Sequence, residues 1–150
     1  MEATTTIQAD QPGAEALPVS KTILWTGRII SAVPVLVLLM SAVMKIVKPV
    51  PVVEGFAHLG LPEGLAFGLG ILELACTALY VVPRTAVLGA ILLTGYLGGA
   101  IVSHLRVGDA FISPIIFGVL IWAGLYLRDT RLRALIPLRG VQRSKDKKQK

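Results

Sequence analysis

The chain has 150 residues, a net charge of +6 and 54% hydrophobic side chains, with a mean hydropathy of +0.73. Soluble domains carry about 45–50% apolar residues even with glycine counted, so this excess, gathered into long runs, excludes an ordinary soluble domain. The charge does not point to nucleic acid, because nine of the fifteen Lys and Arg lie between Arg128 and Lys150, and a basic end beside an apolar run is a topology signal.

Residues 1–20 contain Glu2, Asp10 and Glu15 but no Lys or Arg. They are expected to form a disordered polar tail. They do not read as a cleavable secretory leader, whose first region should be basic.

The first apolar run predicts a helix over 22–47, long enough to span a bilayer. Gly27, Ser31, Pro34, Leu38, Ser41 and Lys45 recur four and three apart and share one helical face. Arg28 adjoins that face. Pro34 is expected to kink the helix, with Ser31 helping to satisfy the freed carbonyl. The link that follows, Lys48 to Glu63, predicts a small helix opened by Pro51 and closed by Gly60, before Pro62. Phe56 and Leu59 would lay that helix on the membrane surface.

The second run predicts a helix over 64–82 and carries Glu73 at mid-depth. A carboxylate there is costly and normally faces a bundle interior, a partner or a water-filled cavity. Ala66, Gly70, Glu73, Thr77 and Tyr80 share its face. Cys76 is the only cysteine. An internal disulfide is therefore excluded, and the thiol reads as a small packed residue.

Pro83-Arg84 turns the chain into a third helix, expected over 85–103, where Tyr96, Gly99 and Ser103 align, with Arg106 a turn beyond. The fourth helix is expected over 110–127. It has few polar groups after Ser113 and reads as the wall most exposed to lipid. The pairs Gly64/Gly68 and Gly95/Gly99 have the spacing that permits close helix approach. They are read as internal packing in preference to a homodimer contact, which stays open.

The expected fold class is an all-α membrane protein, an up-down bundle of four transmembrane helices with short connecting loops. One domain spans 21–138, and 139–150 forms a basic cytoplasmic tail. With both termini in the cytoplasm, eleven cations fall inside (Lys21, Arg84 and the C-terminal nine) against Lys45, Lys48 and Arg106 outside, as the positive-inside bias requires. The membrane partner is the lipid bilayer, and the basic tail could also meet anionic lipid.

The buried polar seam comprises Glu73, Arg28, Ser31, Ser41, Lys45, Thr77, Tyr80 and Tyr96. Glu73 needs a proton or a cation. Arg28 is the preferred partner and Lys45, nearer the outer end, the second. Glu73 either fixes helix register as a neutral or paired group, or serves as a proton relay or ligand site. At the outer side His58, His104, Arg106 and Asp109 form a polar cluster. It reads as a contact for a quinone headgroup or a partner. Haem or metal ligation is disfavoured, because neither a close His repeat nor supporting cysteines are present. No dinucleotide fingerprint, phosphate loop or nucleophile elbow occurs, so no self-contained catalytic site is expected.

Met44-Lys45, the segment Phe56-Ala57-His58-Leu59-Gly60-Leu61-Pro62, Gly70-Ile71-Leu72-Glu73-Leu74-Ala75, the turn Pro83-Arg84, and Ala100-Ile101-Val102-Ser103-His104-Leu105 followed by Gly108-Asp109 together resemble the DoxX-like family of small four-helix membrane proteins. The match runs from Thr22 to Leu138. Arg28, Lys45, Glu73 and His104 match polar positions that look typical of the family. The resemblance implies a membrane subunit or partner of a quinone-linked oxidoreductase system in the bacterial cytoplasmic membrane. The single cysteine argues against a thiol-based version. A small proton-coupled carrier or exporter, and a non-enzymatic scaffold or stress protein, are the alternatives.

Overall fold

The computed structural model describes residues 21–135, with side chains to 133, and every regular element among them is helical. The expected polar tail over 1–20 and basic tail over 139–150 lie outside the described residues. Six helices follow in chain order: α1 Lys21–Val47, α2 Val50–His58, α3 Gly64–Val81, α4 Ala86–Val107, α5 Ile112–Arg128 and α6 Thr130–Leu135. Three of them, α1, α3 and α4, are long and apolar enough to cross a membrane, and α5 is apolar but shorter, at 17 residues.

Apolar side chains such as Ile29, Leu36, Met40, Leu72, Ile91 and Val102 are exposed on the outer surfaces. That inversion suits a surface whose solvent is hydrocarbon. Small residues and polar groups turn inward instead, the pattern of helix contacts inside a bilayer. α1 packs against α3 and α5, and α4 completes the circuit by packing on both α3 and α5. Contacts between neighbours run in opposite chain directions. On α1, Gly27 would abut Leu127 and Ser31 abuts Gly124 of α5, while Ser31 meets Tyr80 and Lys45 meets Glu73 of α3.

The core lies toward the end where Lys21 and Arg128 sit. Tyr80, Leu93, Ile121 and Leu125 are each less than 2% exposed there. The Tyr80 hydroxyl donates to the Ile121 carbonyl at 2.9 Å and bonds the Ser31 hydroxyl at 3.0 Å. The Arg128 guanidinium covers the Tyr80 ring at 4.5 Å and donates to the Tyr80 carbonyl at 2.8 Å. It thereby satisfies an orphan acceptor at the end of α3.

Several expectations are corrected. α5 is not the most lipid-facing wall: its contact with α1 is the most extensive between any two helices, and Pro114, Ile121, Gly124 and Leu125 are buried. Gly124 carries that contact, since a side chain there would run into Ser31. The glycines at 64, 68, 95 and 99 do not mediate internal packing, because a Cβ at any of them would meet nothing within 4 Å. α4 continues to Val107, a full turn beyond the expected end. It stops where Gly108 takes φ 79°, a left-handed conformation that favours glycine. Phe56, expected to lay α2 on the membrane surface, is 7% exposed and points into the protein.

Candidate functional site

Glu73 lies on the α3 face predicted for it, with Ala66, Gly70, Thr77 and Tyr80, all of them buried. Its carboxylate is 1% exposed and meets a cation: Lys45 Nζ lies 3.0 Å from Oε2. The Ser41 hydroxyl donates to the same oxygen at 3.3 Å, and the Lys45 ammonium also donates to Ser41 Oγ. Ser41 and Lys45 are one turn apart on α1, so the helix delivers both groups to one point.

Arg28 is therefore not the partner of Glu73. It is exposed, and its guanidinium lies 5.5 Å from the centre of the Trp25 ring. The cause is level and direction. α1 and α3 meet in opposite directions, so Lys45 comes level with Glu73, whereas Arg28 is displaced by 17 residues, roughly 25 Å along a helix. Arg28 also follows Gly27 directly, about 100° round the helix from the packed face.

The expected seam breaks into two knots. Ser31 and Tyr80 form one at the Lys21–Arg128 end. Ser41, Lys45 and Glu73 form the other, toward α2. Thr77 joins neither, because its hydroxyl donates to the Glu73 backbone carbonyl at 2.7 Å. Pro34, Leu38, Cys76 and Leu93 pack between the knots.

Beside Glu73 opens a cavity of about 560 Å³. Its walls are mainly apolar, with Leu65, Leu69 and Leu72 from α3, Gly95 and Gly99 from α4, and Phe56 roofing it from α2. Ser41, Lys45, Glu73, Tyr96, Ser103, His104 and Ser113 supply its polar groups. Binding pockets for small molecules commonly have this size and this mixture of apolar walls with a few polar groups. The open flank at Gly95 and Gly99, where no side chain fills the space, lies on the side of α3 and α4.

At the α2 end the outer cluster assembles around Asp109. Gly108 reverses the chain so that the Asp109 amide donates to the His104 carbonyl at 3.0 Å. The carboxylate then faces His58 Nε2, at 3.0 and 3.1 Å from its two oxygens, and His104 Nδ1 at 3.5 Å. Arg106 belongs to a second tie. It donates to the Leu59 carbonyl at 2.6 Å, next to the end of α2. Both contacts fasten α2 to α4. Among the described residues no group of His, Cys, Asp and Glu forms a metal site.

The hydrogen bond from His58 holds the Asp109 carboxyl below its usual value of 3.8, and His104 adds to the effect. A depressed carboxylate contributes stability above its unfolded value, and that contribution is lost as pH falls through the folded one. The attachment of α2 should therefore be intact above about pH 4 and weaken below it. Hydrogen exchange of the α2 amides, corrected for intrinsic rates, should accelerate through that window. In Asp109→Asn it should be fast at every pH. Protection in Asp109→Asn equal to the parent would show that the carboxylate does not hold α2.

Sequence reasoning missed Arg128 as the group covering Tyr80, and the Trp122 indole that donates to Thr94 at 2.9 Å. A cation in the last turn of an apolar helix is one signal for the first, because it can reach the carbonyl ends of a neighbour. It also missed Phe56 as a cavity roof.

A model of the DoxX-like family matches residues 29–124. No curated protein matches the chain, and no solved structure matches it.

Proposed function

The chain belongs to the DoxX-like family, and on that premise we propose that it is the membrane subunit or partner of a quinone-linked oxidoreductase, with the cavity beside Glu73 as the quinone site. The observation that carries this reading is the cavity itself, a mainly apolar chamber of about 560 Å³ whose lining includes the Lys45 ammonium, the Glu73 carboxylate and the hydroxyls of Ser41 and Tyr96. A quinone is an apolar ring and tail with carbonyl oxygens that only accept hydrogen bonds until it is reduced. Lys45 and Tyr96 would hold such an oxygen, and Leu65, Leu69 and Leu72 would line the tail. The bound quinone would supply two-electron redox chemistry. The chain's own groups would bind, orient and manage protons, and a partner would supply electrons.

In this reading α1, α3, α4 and α5 form an up-down bundle of four spans in the bacterial cytoplasmic membrane, with both termini cytoplasmic. The opposed contacts between neighbouring helices and the eleven-to-three distribution of cations support it. The α2 end then faces outward.

The proton-coupled carrier draws on the same buried acid, but the close packing around Tyr80, Leu93, Ile121 and Leu125 favours a one-ended site. Purification from native membranes in mild detergent tests the proposal. Quinone retained with the protein, or a co-purifying dehydrogenase, is expected. A clean, folded preparation with neither overturns it. A pH-driven flux of solute in proteoliposomes would favour the carrier instead.

A further inference from the structure

A second, smaller cavity of about 300 Å³ lies under α2. We infer that it is an aqueous vestibule through which Lys45 passes protons between the α2 end of the protein and Glu73. The inference deepens the quinone-site reading, since reduction of a quinone consumes protons, but its geometry stands apart from that reading.

The lining of the two cavities carries the argument. Lys45, Ser41 and His104 line both, with Phe56 and Leu59 as the apolar residues they share. Glu73 lines only the larger, and His58 and Asp109 line only the smaller. Of the shared residues, Lys45 is the cation that touches the buried acid, with Nζ 3.0 Å from Glu73 Oε2 and its side chain 18% exposed against 1% for the carboxylate, so it stands between the outer cluster and Glu73. The smaller cavity has room for roughly ten waters at about 30 Å³ each. Its walls are largely apolar, and Ser41, Lys45, His58, His104 and Asp109 give those waters partners.

Among the described residues no equivalent route leads to the other end. Beyond Glu73 the Thr77 hydroxyl is turned back onto its own helix. Leu38, Cys76, Leu93 and Ile121 then belong to one continuous buried cluster. The titratable groups facing Glu73 are Lys45 from α1, Tyr96 from α4 and Cys76 on its own helix, and His104 of α4 lines the same cavity. α5 contributes only Ser113, Pro114 and Phe117 to the larger cavity. Those facing the vestibule, besides Lys45, are His58, His104 and Asp109. Nearby, Arg106 is engaged with the Leu59 carbonyl and Lys48 with Glu63 at 3.8 Å.

The transfer balances without any redox partner. The Lys45 ammonium gives a proton to the Glu73 carboxylate: an N–H bond breaks and an O–H bond forms. The resulting amine takes a proton from hydronium in the vestibule and leaves water. The net result is one proton delivered to Glu73 from the α2 side, and the reverse sequence returns it.

Two measurements test this in the full chain. In a Cys76→Ala background, Ser41→Cys should react with a membrane-impermeant cationic methanethiosulfonate about tenfold or more faster from the α2 side than from the other, while Ser31→Cys on the same helix stays unreactive, as buried thiols do. Met44→Cys, which lines the same vestibule, replaces Ser41→Cys if that variant does not fold. A thiol there that reacts no faster than Ser31→Cys, or equally from both sides, overturns the vestibule.

The second measurement is Lys45→Arg. Arginine keeps the ion pair but does not deprotonate in proteins. The infrared response of the Glu73 carboxyl to an acid jump, assigned against Glu73→Gln, should slow by about tenfold or more, as expected when a titrating relay is replaced by a fixed charge. An unchanged rate in folded Lys45→Arg overturns the relay. Retained quinone with an unreactive Ser41→Cys would sink this inference alone. A reactive Ser41→Cys in a preparation without quinone or dehydrogenase would sink the quinone reading alone.

Discussion

Lys45→Met is expected to destabilise the protein by about 3 kcal/mol, more than Glu73→Gln does. Removing one member of a buried ion pair strands the other, which costs about 3–5 kcal/mol in soluble proteins. The low end applies because the Lys45 side chain keeps 18% exposure while the Glu73 carboxylate has 1%. Methionine fills much of the lysine stem's volume, so the loss reports on charge more than on packing. The stranded carboxylate would keep the Ser41 hydroxyl at 3.3 Å and the neutral Tyr96 hydroxyl, but no cation. Glu73→Gln leaves a partly solvated ammonium and an amide that still accepts hydrogen bonds, so about 1–2 kcal/mol is expected, near the cost of one weakened charged bond. The double variant should return to within about 1 kcal/mol of the parent, because a pair removed whole leaves nothing unpaired. Denaturant titration of the purified protein in mixed micelles measures all three. Glu73→Gln costing more than Lys45→Met, or costs that simply add in the double variant, would show that the two groups do not depend on each other.

Much of this arrangement could be read from the chain because helical spacing is a local property. The face formed by Ala66, Gly70, Glu73, Thr77 and Tyr80 follows from residue order alone, and all five are buried. So does the stripe on α1 through Gly27, Ser31, Pro34 and Leu38. The partner of Glu73 was not legible in this way. Choosing between Arg28 and Lys45 requires knowing which levels of two helices coincide, and the intervening link, which includes α2, sets that offset. Loop composition predicts that a small helix exists. It does not predict that Phe56 folds inward to roof a cavity. The same limit explains the glycines. Gly89 and Gly124 touch a neighbouring helix, whereas Gly64, Gly68, Gly95 and Gly99 do not, yet only the second group shows the four-residue spacing. Spacing establishes that two glycines share a face, and the packing of the whole bundle decides what that face meets. The outer cluster was legible as a list of residues, but its centre was not. Asp109 gathers His58 and His104 because Gly108 turns the chain back on α4.

Gly89→Ala should be among the most damaging single-methyl additions to this protein, at or above the upper end of the about 1–3 kcal/mol that overpacking costs. A Cβ at Gly89 would stand 2.5 Å from Tyr80 Cα and 2.7 Å from the Leu79 carbonyl carbon, and closer still to the Tyr80 amide nitrogen. These are backbone atoms, which cannot swing aside as a side chain would. α3 and α4 must separate instead. That motion reaches further than the contact itself. Tyr80 is 0% exposed, and its hydroxyl ties α3 to Ser31 of α1 and to the Ile121 carbonyl of α5, with Arg128 over its ring. Shifting Tyr80 therefore loosens three helix contacts together. Gly68→Ala and Gly95→Ala provide the contrast. Nothing lies within 4 Å of either added methyl, and alanine is favoured over glycine inside a helix by about 1 kcal/mol. Both should be neutral or stabilising in the same micellar titration. A Gly89→Ala protein as stable as Gly68→Ala would show that α3 and α4 do not approach as closely as described. A loss at Gly68→Ala that appears only at concentrations where the protein self-associates would place a second copy of the chain against that open face.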